Sequence, residues 1–283
     1  MPRAVGDFHR SLGALRSTLG INQGRNGQLK TLHTAAVFAI CATATLAQWL
    51  DYPTPGIPRT KDGKPDLSAA APRGADGNVD LSGLYQANNA RYFGNIAADF
   101  KPGELPIQPW AAALAKEREE NFRKDDPYSH CLPLGVPRIN TANRPFKIYQ
   151  LPNAVVILYE ATYMFREIFM DGRPLPKDPQ PTWMGYSVGR WQGDTLVVDT
   201  SGFNDKAWLD GDKGHPHTDA LHVTERFRRI NFGTLEIEAT IDDPKAYTKP
   251  FTVKQGLHLI PDSELLENIC DENERSAPHL VGK

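Results

Sequence analysis

Beyond Pro145 the chain settles into short runs of β-branched and aromatic residues. Phe146 to Leu151, Ala154 to Ala161 and Tyr163 to Met170 are separated by Pro152-Asn153, Thr162 and Asp171-Gly172, which predicts an antiparallel meander. Gly185 to Trp191 and Thr195 to Thr200 flank Gln192-Gly193-Asp194, a tight hairpin turn. Leu221 to Arg229 and Thr234 to Thr240 flank Asn231-Phe232-Gly233, and Phe251 to Ile260 is expected to pair with Glu264 to Cys270 across Pro261-Asp262. At least seven strands on short connections predict an all-β fold, a closed barrel or a sandwich, because closure removes the unpaired edges of a long meander.

Alternation also assigns faces. Leu221, Val223, Glu225 and Phe227 share one face of their strand, and His222, Thr224, Arg226 and Arg228 share the other. On the partner strand Leu235, Ile237 and Ala239 alternate with Glu236 and Glu238, so Arg226 and Arg228 are expected to pair across the strands with Glu236 and Glu238. Glu225 is then a carboxylate facing the core. A buried charge is costly unless paired, so Glu225 is expected to meet a cation such as Arg166 or Arg190, or to carry a raised pKa. A structural ion pair and a catalytic acid/base both satisfy that requirement.

Ahead of the strands, one helix is predicted from Pro109 to about Lys124, with Trp110, Leu114 and Phe122 on its buried face. Tyr128 to Asn143 reads as an ordered loop. Residues 48 to 82, rich in Pro, Gly, Asp and Lys, read as an extended arm preceding a single domain over 83 to 283. Within the arm, Pro58-Arg59, Asp62-Gly63 and Asp66-Leu67-Ser68 recur as Pro72-Arg73, Asp76-Gly77 and Asp80-Leu81-Ser82, a duplicated turn expected along the barrel wall. Residues 1 to 47 read as a signal peptide with an upstream extension: Arg25 and Lys30 lead into the apolar run Ala35 to Leu46, and Thr45-Leu46-Ala47 resembles a cleavage site. Export to the periplasm or beyond follows, with membrane contact only if the segment stays uncleaved.

Removing that segment takes away Arg3, Arg10, Arg16, Arg25 and Lys30 against Asp7, so a net charge of −2 becomes −6. A mildly acidic exported chain is a poor candidate for binding nucleic acid. Cys41 leaves with the segment, and Cys131 and Cys270 remain as an even pair in an oxidising compartment, where a disulfide between them is expected.

Candidate chemistry concentrates between Trp183 and Arg229. His215, His217 and His222 with Glu225 form H-x-H-x4-H-x2-E, which raises zinc or another divalent transition metal as an alternative, with His215 and His217 as its ligands. Alternation places His222 and Glu225 on opposite faces, so no cofactor is favoured. Gly185-Tyr-Ser-Val-Gly189 matches G-x-S-x-G but falls inside a strand without the strand-to-helix elbow. Asp210-Gly211-Asp212 and Asp242-Asp243-Pro244 read as turns. Trp183, Tyr186 and Trp208 are aromatic candidates for a ligand site, with Arg166 as its cation.

Cys131-Leu-Pro-Leu-Gly-Val-Pro-Arg138, Pro181-Thr-Trp-Met-Gly-Tyr-Ser-Val-Gly-Arg-Trp-Gln-Gly-Asp-Thr-Leu-Val-Val198, Gly202-Phe-Asn-Asp205, His215-Pro-His217 and Leu221-His-Val-Thr-Glu-Arg-Phe227 resemble a family of secreted bacterial hypothetical proteins of acidobacterial type. That resemblance implies export and brings no activity or catalytic residues with it. Asp80-Leu-Ser-Gly83 followed by Tyr85 is similar to the G-x-W opening of lipocalins, with Tyr in place of Trp, which implies a lipocalin-like barrel. Two functions stay open. In the first, an exported barrel binds a small aromatic or glycosidic molecule and acts on it by acid/base chemistry through Glu225, His217 and Asp205. In the second, a non-catalytic accessory subunit of a periplasmic or membrane-associated complex offers Trp183 to His217 to a protein partner.

Overall fold

A computed structural model describes residues 53 to 270. The chain divides into Met1–Trp49 and Leu50–Lys283. The expected signal peptide, Cys41 and the first residues of the arm lie outside the described residues.

Nine strands close into one barrel in chain order. They are β1 (Gly83–Ala87), β2 (Phe146–Gln150), β3 (Ala154–Tyr159), β4 (Phe165–Phe169), β5 (Tyr186–Gln192), β6 (Thr195–Ser201), β7 (His222–Asn231), β8 (Thr234–Asp242) and β9 (Phe251–Leu259). The all-β barrel that the alternation predicts is therefore present, and closure comes from antiparallel pairing of β1 with β9. Along β7, Val223, Glu225 and Phe227 are buried, and across from them Leu235, Ile237, Ala239 and Ile241 fill the same interior. Outside, Arg228 bonds Glu236 at 2.8 Å, and Arg226 stands opposite Glu238 while donating to Gln192. Period-two burial fixes this register, since a one-residue slip would send Glu225 to solvent and Arg226 to the core.

One pair departs from the predicted meander. β4 and β5 run parallel and are paired only at Ile168 with Ser187 and Phe169 with Val188. The connection from Met170 to Gly185 is long enough to return the chain to the starting end of β4, as a parallel pair requires. Phe165, Arg166 and Glu167 are thus left without strand partners on the β5 side, and the closed wall is held at this seam by two residue pairs.

A second departure concerns the C-terminal segment. Glu264 to Cys270 forms no strand, because both edges of β9 are already occupied, by β8 and β1. Asp262 instead exchanges hydrogen bonds with Thr54 of the arm, and Glu264 meets Lys147 of β2 at 3.3 Å. The segment ends at the expected Cys131–Cys270 disulfide, with 5.7 Å between the Cα atoms.

The arm's duplicated turn has the same construction twice. Gly63 N–H donates to Thr60 and Asp66 N–H to Pro58; fourteen residues on, Gly77 N–H donates to Gly74 and Asp80 N–H to Pro72. Arg59 then clasps Asp262 and Arg73 clasps Asp194, so each copy ties the arm to the barrel through one exposed ion pair. Phe232 and Gly233 donate to the carbonyls of Ala69 and Leu67. The arm thereby crosses the end of the barrel that holds the turns after β5 and β7.

The opposite end receives the connections 88 to 145, 202 to 221 and 243 to 250. They contain α1 (Arg91–Gly94), α2 (Pro109–Glu120) and α3 (Arg138–Thr141). Pro109 opens α2 as expected, but the buried side of that helix is Ala111 and Ala115. Trp110 is half exposed and donates to the carbonyl of Lys245, and Phe122 lies beyond the helix in a left-handed conformation with 77% exposure. Leu114 is half-buried, so of the three residues expected on the buried face it alone lies partly covered, beside Ala111 and Ala115.

Candidate functional site

α3 is a single turn whose four residues are all buried. Arg138 anchors it through two hydrogen bonds to Asp126, at 2.8 and 2.6 Å, with its guanidinium 4.8 Å from the centre of the Phe93 ring. This clamp points Asn140 into the barrel. Its Nδ2 donates to Glu225 Oε1 at 2.6 Å, and its Oδ1 accepts from the Tyr159 hydroxyl at 2.8 Å.

Glu225 is 0% exposed and its other oxygen accepts from Arg166 Nη2 at 2.5 Å. Arg166, 3% exposed, also donates to Thr200 Oγ1 at 2.8 Å and, through Nε, to Ser187 Oγ at 3.0 Å. Burial opposes its charge most strongly, yet Glu225 and Tyr159 together outweigh that penalty and raise the Arg166 pKa above its ordinary value. Burial pushes the Tyr159 phenol up as well, keeping it a neutral donor. Of the two cations expected for Glu225, Arg166 is the partner; Arg190 is exposed and pairs with Asp199. In the cluster around Glu225 one group remains unsatisfied. Arg166 Nη1 is buried and has no hydrogen-bond partner among the described residues.

A cleft of about 380 Å³ opens on the seam beside this cluster. Arg166 and Ser187 border it, and Trp183, Tyr186, Phe169, Phe165, Met164 and Met184 give it a mostly apolar lining. Phe169 stacks on Tyr186 with ring centres 5.1 Å apart. Arg173 covers Phe169 at 4.0 Å, donates to the Tyr186 hydroxyl at 3.0 Å and is held by Asp171. Gly185 sets the approach of Trp183 and Tyr186 to the seam. Its φ is +68°, and a Cβ there would lie 2.7 Å from Thr200 Cγ2 and 2.9 Å from Phe203.

Three of the four residues expected to bind a ligand, Trp183, Tyr186 and Arg166, therefore border one cleft. Trp208 does not join them. It is 4% exposed, inside a small hairpin in which Trp208 bridges to Pro216, with the Arg118 guanidinium 4.3 Å above its ring. The polar residues beside Trp208 in sequence suggest exposure, but the hairpin folds the indole under α2.

The acid/base candidates are dispersed. Both oxygens of Glu225 are already hydrogen-bonded, Asp205 is exposed, and His217 is buried with its ring edge against Phe203 and Nδ1 at 3.1 Å from the Thr218 carbonyl. The group that covers Glu225 is Asn140. His215 Nδ1 bonds Asp210, and His222 lies outside the barrel near Asp199, on the opposite face from Glu225 as the alternation requires. Among the described residues no three His, Cys, Asp or Glu side chains gather so as to hold a metal. Asn140, Tyr159 and Thr200 were not legible as site residues. Asn140 sits on one helical turn with no periodicity to place it, and Tyr159 and Thr200 look like ordinary strand residues.

Burial lowers the His217 pKa from 6.5, outweighing the opposing pull of the Thr218 carbonyl and the Asp243 carboxylate. The folded protein thus binds this proton less readily than the unfolded chain. His217 costs no stability above about pH 6.5 and reduces it as the pH falls below that value, because unfolding then takes up a proton. His217→Asn, which retains a donor for Thr218, is expected to weaken the loss of the urea midpoint between about pH 6.5 and 5. Identical midpoint shifts in the two proteins would contradict it.

No protein-family model and no curated protein matches the chain.

Proposed function

We propose that this protein is an exported binding protein that takes a small aromatic molecule bearing a hydrogen-bond acceptor into the seam cleft between β4 and β5. The observation that carries this reading is the buried, unpaired Nη1 of Arg166 beside a cleft walled by Trp183 and Tyr186. An aromatic ring gains contact area on those walls, while a ligand oxygen supplies the partner that Nη1 lacks. Binding without catalysis is favoured, since Glu225 is held from both sides and neither His217 nor Asp205 is hydrogen-bonded to it. The disulfide fits an oxidising compartment, so the ligand is met outside the cytoplasm, in the periplasm or the medium.

Isothermal titration with benzoate and with phenyl β-glucoside tests the reading. At least one is expected to bind, and Trp183→Ala and Tyr186→Ala are each expected to weaken it about tenfold, the effect of about 1.4 kcal/mol of lost contact. Heat signals absent for both probes, or unchanged in both variants, would remove the seam cleft as the site.

The accessory-subunit reading rests on one observation: Phe165 is 64% exposed at the rim and extends the apolar wall outward. A partner's side chain seated in the cleft would give binding to neither probe and protection of Phe165 in the complex.

A further inference from the structure

A second cleft, of about 590 Å³, lies between α2 and the segment 95 to 107, away from the seam. Its floor is apolar, formed by Phe100, Leu105, Ile107 and Ala115. Lys101, Lys116, Lys213 and Glu119 stand at its rim, where each lysine has a carboxylate at hand. Glu119 bonds Lys213 at 2.5 Å, Lys116 lies 3.7 Å from Glu120, and Glu104 folds back onto Lys101, accepting from its backbone N–H at 3.0 Å. The rim therefore selects neither an anion nor a cation.

His215 borders the same cleft although it is only 9% exposed, and its ring is fixed in place. Asp210 is fully buried and accepts from three donors: Ile96 N–H at 2.8 Å, His215 N–H at 3.1 Å and the ring Nδ1 of His215. A carboxylate only accepts, so the neutral imidazole carries its proton on Nδ1 and presents the lone pair of Nε2. No hydrogen bond occupies that nitrogen among the described residues. The Trp208 to Pro216 hairpin holds the ring at this height, with Leu209 N–H donating to the His215 carbonyl and Arg118 of α2 donating to that of Gly214. Asn95 supplies the complementary group. It also borders the cleft, and its Oδ1 accepts from Ala97 N–H at 2.9 Å, which leaves Nδ2 as a donor.

We infer that this cleft binds a neutral amphiphile with a hydroxylated head, its hydrocarbon tail on Phe100, Leu105 and Ile107 and a hydroxyl donating to His215 Nε2. A hydroxylated head can donate to Nε2 and accept from Asn95 Nδ2 without bringing charge to a rim whose own charges are balanced. The apolar floor selects a ligand with a hydrocarbon tail over a bare sugar or polyol. A carboxylate in the same place would meet the Nε2 lone pair. The site is independent of the seam cleft, so either can fail without the other.

Octyl β-glucoside below its micelle-forming concentration serves as the probe, with methyl β-glucoside as the control without a tail and octanoate as the control with a charged head. Titration calorimetry is expected to show octyl β-glucoside binding, with both controls at least about tenfold weaker. Trp183→Ala is expected to leave this binding unchanged. His215→Ala, in which Asp210 keeps the backbone N–H groups of Ile96 and position 215, is expected to weaken it about tenfold or more. Nitrogen NMR of the parent protein reads the contact without any substitution: His215 Nε2 should resonate as an unprotonated nitrogen and shift to saturation as octyl β-glucoside is added. No binding of octyl β-glucoside, equal binding of octanoate, loss of binding in Trp183→Ala, or an Nε2 that is protonated or unshifted would overturn the inference.

Discussion

Glu225→Leu is expected to destabilise the barrel by about 3 to 5 kcal/mol, the usual cost of leaving one member of a buried ion pair without its partner. Arg166 would retain its hydrogen bonds to Ser187 and Thr200, but its charge would face no carboxylate, and Asn140 Nδ2 would lose its acceptor. Removing the charge as well reverses most of the loss. In Arg166→Met/Glu225→Leu the interior becomes apolar at that level, Ser187 and Thr200 keep their contact at 3.1 Å, and Tyr159 keeps its bond to Asn140. The double variant should lie within about 1 to 2 kcal/mol of the parent, since an apolar replacement of a buried pair is often neutral and one amide loses a partner. Urea unfolding of the parent, both single variants and the double variant measures this coupling. Additive losses would show that the two charges do not depend on each other. The double variant also bears on the seam cleft, because it folds without the guanidinium and should bind neither benzoate nor phenyl β-glucoside.

What could be read in advance follows from how far each signal reaches. Glu225 was legible because three apolar neighbours at period two, Leu221, Val223 and Phe227, fix the face it shares. The same alternation placed Arg228 opposite Glu236. Periodicity is silent on segments shorter than about two repeats. β1 buries the adjacent residues Leu84 and Tyr85, which breaks its alternation, and α3 has only four residues, so neither the strand that closes the barrel nor the turn that carries Asn140 shows a regular period. The fate of Glu264 to Cys270 was decided elsewhere, since its apolar residues suit a strand but β1 already pairs with β9. Trp208 went astray for a related reason. Neighbour polarity reports on neighbours, whereas the burial of Trp208 comes from Arg118 on a distant helix. The seam cleft depends on a parallel pair two residues long, which local pattern does not specify.

The Cys131–Cys270 crosslink closes a span of 139 residues. In the chain-entropy account, a loop of this size restricts the unfolded chain by about 5 kcal/mol, so Cys131→Ser/Cys270→Ser is expected to lose up to about that much stability. The loss has a local part too. Cys131 adopts a left-handed conformation at the end of the turn Pro127–His130, whose first residue follows Asp126, the carboxylate that clamps Arg138. That clamp is connected through α3 to Asn140 and so to Glu225. Two measurements separate the contributions. If the crosslink acts only on the unfolded chain, the double serine variant unfolds at lower urea concentration while benzoate or phenyl β-glucoside binds as before. If it also holds α3 in place, amide exchange accelerates at Ile139 and Asn140 under native conditions, ahead of the β7 and β8 amides. The chain of contacts from Cys131 through Asp126 and Arg138 to Asn140 favours the second result, and uniform protection across α3 and the barrel strands would refute it.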